Sequence, residues 1–278
     1  MSALRWLTAP ASLLAETFLP PGCLACHAPL GPREKPSNDS PESLLCRDCR
    51  MLLRPLGQER CCPHCGAHPF RSVPGRTPPG KCVDCASLPE AFVEARSAFP
   101  YQSPAGGIVR NLKYRRSPFL AEWLVRLSVP HVRDWLYKAA DGAVIAFVPM
   151  TGGRQVSRGY NQAEEIALAL GGLLGRPVLG GTTLVRVAHR GPQARHGTRR
   201  ERRAALKGVF VVRQPEKVRG KKILLVDDVM TTGATAAFAA AALQTAGAEE
   251  IYIYTPVRAR LGAGSLGGRT GADNAVLS

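Results

Sequence analysis

The sequence predicts an α/β fold, a mainly parallel sheet flanked by helices and preceded by a small zinc-ribbon-like Cys-rich domain. Three observations predict it. Eight of the nine cysteines form four C-x-x-C pairs, all before residue 86. Beyond them, aliphatic runs alternate with amphipathic helical patterns, as crossover-connected strands require. The chain has 278 residues, 45% of them apolar, enough for a sizeable core and about two domains. That composition excludes a wholly disordered chain, and 28 Gly with 23 Pro exclude a coiled coil. No apolar run approaches the ~20 residues that span a bilayer. The organisation expected is a short amphipathic helix over 1–22, the Cys-rich domain over 23–88, the α/β domain over 89–260 and a Gly-rich flexible tail over 261–278.

The cysteine pairs are Cys23 and Cys26, Cys46 and Cys49, Cys62 and Cys65, Cys82 and Cys85. Nineteen residues separate Cys26 from Cys46 and sixteen separate Cys65 from Cys82. Both intervals suit a zinc ribbon. Two such knuckles close a tetrahedral sulfur cage and leave no place for water, so the expected role is structural, with two Zn²⁺. The alternative is a disulfide framework, which the regular spacing disfavours. Which pairs share a metal stays open at this level. Cys61 is left over as a bystander, and His27, His64 and His68 are expected to be solvated. Zinc thiolates imply a reducing compartment, hence a cytoplasmic protein.

In the α/β half, strands are predicted over 91–101, 143–148, 183–187, 209–212, 222–226 and 250–255. Helices are predicted over 105–114, 120–138 and 160–174, with Leu120, Trp123, Leu124 and Leu127 along one face of the second.

The richest segment follows the strand over 222–226. Asp227 and Asp228 stand at its carboxyl end, where open α/β sheets place their ligands. Thr231, Thr232, Gly233, Ala234 and Thr235 then open a helix, whose N–H groups and hydroxyls suit one phosphate. Adjacent carboxylates need hydroxyls or a metal as partners. A sugar with vicinal hydroxyls and a 5′-phosphate meets both demands. An ordinary helix cap needs one such residue and not the whole array. Upstream, the loop over 151–161 carries Gly152, Gly153 and Gly159 for close backbone approach, with Arg154 and Arg158 as donors. Pyrophosphate fits there, against the alternative of a solvated loop.

The segment over 223–235 resembles the signature of type I phosphoribosyltransferases, which bind 5-phosphoribosyl 1-pyrophosphate (PRPP). Together with Leu112-Lys113-Tyr114, with Val148-Pro149-Met150, and with Arg158-Gly159-Tyr160-Asn161-Gln162-Ala163 behind four cysteine knuckles, the chain resembles the ComF family, tied to bacterial competence and DNA uptake. The resemblance implies a type I phosphoribosyltransferase-like domain that binds PRPP with Mg²⁺. Arg154, Arg158, Gly159, Asn161 and Gln162 would line its pyrophosphate loop, and Gln193, Arg199 and Arg202 would lie on a mobile catalytic loop. In that loop the chain departs from the family pattern at Arg190, Gly191 and Ala205. The implied catalytic set is Asp227, Asp228, Arg158, Gln193, Arg199 and Arg202.

The formal net charge is +16, and residues 186–222 hold 13 Lys+Arg against Glu201 and Glu216. That exceeds what one pyrophosphate needs. Single-stranded DNA would use it, through Arg195, Arg199, Arg200 and Arg203, although a solvated basic face is the competing reading. The function expected is a ComF-like phosphoribosyltransferase-domain protein acting on incoming single-stranded DNA, with PRPP as ligand and competence-machinery proteins as partners. The alternatives are a non-catalytic PRPP-sensing module and a nucleobase salvage enzyme.

Overall fold

The computed structural model describes residues 22–30, 40–57, 61–75, 77–115, 117–151, 159–187, 206 and 208–259. The predicted helix over 1–22 and the tail over 261–278 therefore lie almost wholly outside the described residues.

The central sheet has five strands, four of them side by side in one path: β1 (Glu94–Pro100), β2 (Val144–Phe147), β5 (Lys222–Val226) and β7 (Glu250–Arg258). Their order is β1-β7-β5-β2, every pairing parallel. Parallel neighbours need crossovers, and helices supply them. α1 (Arg47–Leu52) belongs to the Cys-rich segment. α2 (Pro104–Tyr114), α3 (Leu120–Ser128) and α4 (Arg133–Ala140) connect β1 to β2, and α5 (Gln162–Leu174) follows β2. α6 (Ala234–Thr245) connects the middle of the sheet to β7.

Period-two alternation sorts the strand residues into two layers. Leu224, Val226, Tyr252 and Tyr254 pack with α2 to α5, whereas Ile223, Leu225, Ile251 and Ile253 pack with α6. Cys23 and Cys49 join the first layer, and Cys62, Cys65, Cys82 and Cys85 join the second. The cysteine groups thus serve opposite faces of one sheet. The free edge of β1 is covered by the Cys-rich segment: Ala95 N–H donates to His64 O at 2.8 Å, and Leu56 N–H donates to Ala98 O at 2.8 Å. Covering an edge strand removes a template for unwanted pairing.

Three sequence expectations change. The helix expected over 120–138 is two helices, split by a 3₁₀ turn at Val129–Val132. Pro130 lies in that turn, and proline supplies no N–H to continue an α-helix. The segments expected as strands over 183–187 and 209–212 do form strands, β3 (Leu184–Arg186) and β4 (Phe210–Val212). They pair antiparallel with each other in a separate ribbon. Finally, β7 runs beyond Thr255 to Arg258 because β1 flanks one side and a short unexpected strand, β6 (Val229–Met230), flanks the other. No helix among the described residues is long and apolar enough to cross a membrane.

Candidate active site and cysteine centres

β5 and β6 pair with β7 in one unbroken register, Val226 opposite Tyr254 and Val229 opposite Val257. Asp227 and Asp228 occupy the interruption between them. Continuing the register sets the two acids level with Thr255 and Pro256, and Pro256 has no N–H to offer a ladder. Asp227 N–H still donates to Tyr254 O at 3.1 Å, the last bond before the gap, and the two acids at this carboxyl end of the strand face a cavity of about 370 Å³. Thr231, Thr235, Asn161, Gln162 and Lys113 line the same cavity, as do Tyr101 and Arg186.

The acids are held differently. Asp227 Oδ1 accepts the Asp228 N–H at 2.8 Å, and Asp228 Oδ2 takes an ion pair from Lys113 Nζ at 2.7 Å, both side chains largely buried. Burial pushes the Asp227 carboxyl up to about 7; the Asp228 carboxylate adds to the rise, and Lys113 and Arg186 oppose it.

A stability consequence follows from that shift. Between the ordinary value of 3.8 and about 7, the folded chain keeps a proton on Asp227 that the unfolded chain has released. The stability conferred by that proton therefore fades as pH rises through 7. Asp227→Asn mimics the protonated form. It is expected to raise stability by about 1 kcal/mol near pH 8, well below what the full shift would give in a sealed site, and by less than half of that near pH 5. Thermal melts of the two proteins at both pH values check this.

Beyond the acids, Gly233 adopts φ +78°, the left-handed conformation that glycine reaches without strain, and α6 begins behind it. Gly233 is the N-cap, Thr232 Oγ1 before it accepts the Ala234 N–H at 3.3 Å, and Thr231 and Thr235 border the cavity. Across the cavity Asn161 caps α5: its Oδ1 accepts the Ala163 N–H and its Nδ2 donates to Val148 O, each at 3.1 Å. Asn161 and Gln162 are buried, and Gly159 lies exposed at the start of this turn with φ +84°. Tyr160 donates its hydroxyl to Leu112 O, tying the turn to α2 beside Lys113.

The structure thus gathers Asp227, Asp228, Thr231, Thr235, Asn161 and Gln162 around one cavity, with Thr232, Gly233 and Ala234 in the adjoining turn. Arg154, Arg158, Gln193, Arg195, Arg199, Arg200, Arg202 and Arg203 lie outside the described residues. Sequence reasoning quoted Lys113 without giving it a site role, and did not single out Tyr101 or Arg186 for the cavity. Lys113 meets Asp228 across 115 residues of chain, a distance over which no local pattern speaks.

The cysteines form two groups, Cys23, Cys26, Cys46 and Cys49, and Cys62, Cys65, Cys82 and Cys85. Within each group the sulfurs lie within 4.8 Å of one another. Neighbouring pairs therefore share a site, a point the spacing had left open. The Cys26–Cys46, Cys62–Cys85 and Cys65–Cys82 sulfur separations are 3.7, 3.7 and 3.6 Å. A tetrahedron with ~2.3 Å Zn–S bonds has edges of ~3.8 Å, whereas a disulfide brings sulfurs to ~2 Å. The donor sets fit zinc, and none of the nine cysteines is joined in a disulfide. The second group is fully buried, while Cys26 of the first is exposed.

The first group is seated on α2. Asn111 Nδ2 donates to Leu24 O at 2.7 Å, and a Cβ on Gly107 would come within 2.7 Å of Ala25 O. His27 bonds Asn111 Oδ1 at 2.8 Å, and His64 stacks on Phe92 with ring centroids 4.2 Å apart. His27 is exposed, as expected, whereas His64 is half-buried rather than solvated, and neither joins a cysteine group. Each fills a fixed place in the junction between the knuckles and the sheet.

Comparison with known proteins agrees with this architecture. Residues 157–265 match the phosphoribosyl transferase domain model. Competence protein ComFC of Streptococcus pneumoniae is 26% identical over 219 residues, 78% of this chain and 89% of that protein. DNA utilization protein YhgH of Salmonella typhimurium is 30% identical over 211 residues, 74% of this chain and 88% of that protein. The chain belongs to the ComF family. Among solved structures, a purine phosphoribosyltransferase from Pyrococcus horikoshii superposes with a TM-score of 0.30 at 19% identity, covering 49% of this chain and 83% of its own. This ComF-family chain therefore joins a phosphoribosyltransferase domain with a mainly parallel sheet to an N-terminal Cys-rich region holding two four-cysteine groups.

Proposed function

We propose that the cavity beside Asp227 and Asp228 binds PRPP with Mg²⁺, and that the protein acts in DNA uptake. One observation carries the reading. Two acids in the gap between β5 and β6 share a cavity of about 370 Å³ with the hydroxyls of Thr231 and Thr235 and the Lys113 ammonium. Acids suit ribose hydroxyls, and the hydroxyl-bearing turn at a helix start suits a 5′-phosphate. Lys113, Arg186 and the loop bearing Arg154, Arg158 and Gly159 would face the pyrophosphate. Asp227, Asp228 and the pyrophosphate oxygens would hold Mg²⁺, which supplies charge neutralisation for the departing group. In a transfer reaction the bond from C1 of the ribose to the pyrophosphate oxygen breaks, the electron pair leaves with pyrophosphate, and the acceptor forms the new bond. The side chains named serve by orienting the sugar and stabilising charge.

A coupled assay for pyrophosphate tests this reading. Saturable PRPP binding with steady pyrophosphate release on adding a nucleobase or DNA marks a transferase. Saturable binding without release marks a ligand-sensing module. Absence of PRPP binding refutes both.

The relatives' names, competence and DNA utilization, support the placement in DNA uptake, and the basic run over 186–222 supports single-stranded DNA as a partner. Reversing Arg199, Arg200, Arg202 and Arg203 to Glu is expected to flatten the slope of log affinity against log salt by about 3, since each lost phosphate contact removes ~0.7. Binding isotherms at several salt concentrations read it. An unchanged slope would take DNA binding away from this run.

A further inference from the structure

At the end of the central strand β7, Arg258 is only 5% exposed. Its Nη1 donates to Cys65 O at 2.6 Å and approaches Met230 Sδ at 2.8 Å, and its Nη2 points to Cys65 Sγ at 3.7 Å. Among the described residues its side-chain partners are Cys65 and Met230, and neither brings a carboxylate. Arginine cannot shed its proton to escape burial, so a buried guanidinium needs a negative partner. Four thiolates around one dication leave two negative charges uncompensated. Among the described residues the second cysteine centre, loaded with metal, is the negative group within reach of this cation; a disulfide-bridged or protonated set would offer no negative charge there.

The same contacts reach the proposed phosphate turn. Met230 directly precedes Thr231, and its carbonyl accepts the Ala259 N–H at 2.9 Å. A Cβ on Gly233 would lie 3.4 Å from Leu88 Cδ1 and 3.8 Å from Met230 Sδ. Leu88 in turn donates its N–H to Cys85 O at 3.0 Å. The floor of the turn is therefore made by two side chains tied to the second centre, one through Arg258 and one through Cys85.

We infer that Arg258 is a positioning residue that balances the charge of the second cysteine centre and couples its metal occupancy to the Thr231, Thr232, Gly233 turn. For its ligand the coupling rests on the reading of the cavity as a PRPP site. Thermodynamic linkage makes the effect reciprocal: metal at the second centre tightens ligand binding, and ligand slows metal loss.

The test follows zinc transfer from the full-length, zinc-loaded protein to a coloured chelator, for wild type, Arg258→Met and Arg258→Lys, with and without PRPP and Mg²⁺. Arg258→Met is expected to lose one zinc equivalent 10- to 100-fold faster, the range typical of an outer contact to a ligating residue. The other equivalent, in the centre on α2, keeps its rate, and Arg258→Lys recovers most of the loss. Saturating PRPP is expected to slow release of the sensitive equivalent about fivefold in wild type and not in Arg258→Met. Unchanged release from Arg258→Met, or equal slowing by PRPP in both proteins, overturns the inference. Should Arg258→Met fail to fold, wild type decides: PRPP that binds yet leaves both release rates unchanged overturns the coupling. PRPP that does not bind wild type refutes the reading of the cavity instead, and Arg258 is then judged from the release rates of the variants alone.

Discussion

Serine at both Cys62 and Cys85 is expected to remove one of two zinc equivalents and to lower Tm by about 10 °C or more. Structural zinc contributes ~10 kcal/mol or more of apparent binding energy to the fold that holds it, and ~1 kcal/mol moves Tm by ~2–4 °C in a chain of this size. The effect should be large here because the centre is not a detachable appendage. Its four cysteines are buried in the layer formed with α6 and the strands. The knuckle also covers the edge of β1, where Arg96 Nη1 donates to Pro63 O at 3.0 Å beside the Ala95 to His64 bond. Losing the metal lets the two remaining cysteines protonate and leaves the Arg258 guanidinium without its counter-charge in a dry site. Scanning calorimetry with metal analysis reads the result. A double variant that keeps both its Tm and two zinc equivalents would contradict a structural metal at this centre.

Asp227→Asn with Asp228→Asn is expected to weaken PRPP binding at least 100-fold while leaving the fold intact. A hydrogen bond to a charged group is worth ~1.5–3 kcal/mol, so two acids on the ribose together supply roughly 3–6 kcal/mol. Asparagine keeps an oxygen for the Asp228 N–H, so the local backbone has no reason to move. Lys113 loses its partner in this variant, and adding Lys113→Met separates that effect from the loss of the acids. The wild-type protein carries a pH signature of the same site. Because Asp227 titrates near 7, PRPP affinity should climb as pH rises from about 6 to 8, where the carboxylate becomes available to accept from hydroxyls. Isothermal calorimetry gives both results.

What the sequence disclosed was mostly local. The aliphatic run ending at Val226 specified β5, because only a strand buried on both faces carries such a run, and the acids after it marked the strand's end. Cysteine spacing specified four knuckles at ribbon intervals, since that chemistry is encoded in short intervals, but which knuckles share a site came only from the fold. Pro130 was equally visible, yet helical periodicity on both sides masked the break it causes. β6 is two residues long and exists because β7 continues beside it, a tertiary cause without a local signal. Lys113 against Asp228 and Arg258 against Cys65 are contacts between residues 115 and 193 positions apart, so only the assembled sheet could reveal them. The same holds for His64, whose neighbourhood of cysteines said nothing of the Phe92 ring beneath it.

The most direct measurement is a crystal structure of the zinc-loaded chain with PRPP and Mg²⁺. The expected result has the 5′-phosphate on the hydroxyls and N–H groups of Thr231 to Thr235, the ribose hydroxyls on Asp227 and Asp228, and Lys113 drawn from Asp228 toward the pyrophosphate. PRPP seated elsewhere, or a cavity still closed by the Lys113 to Asp228 pair at saturating ligand, would contradict it.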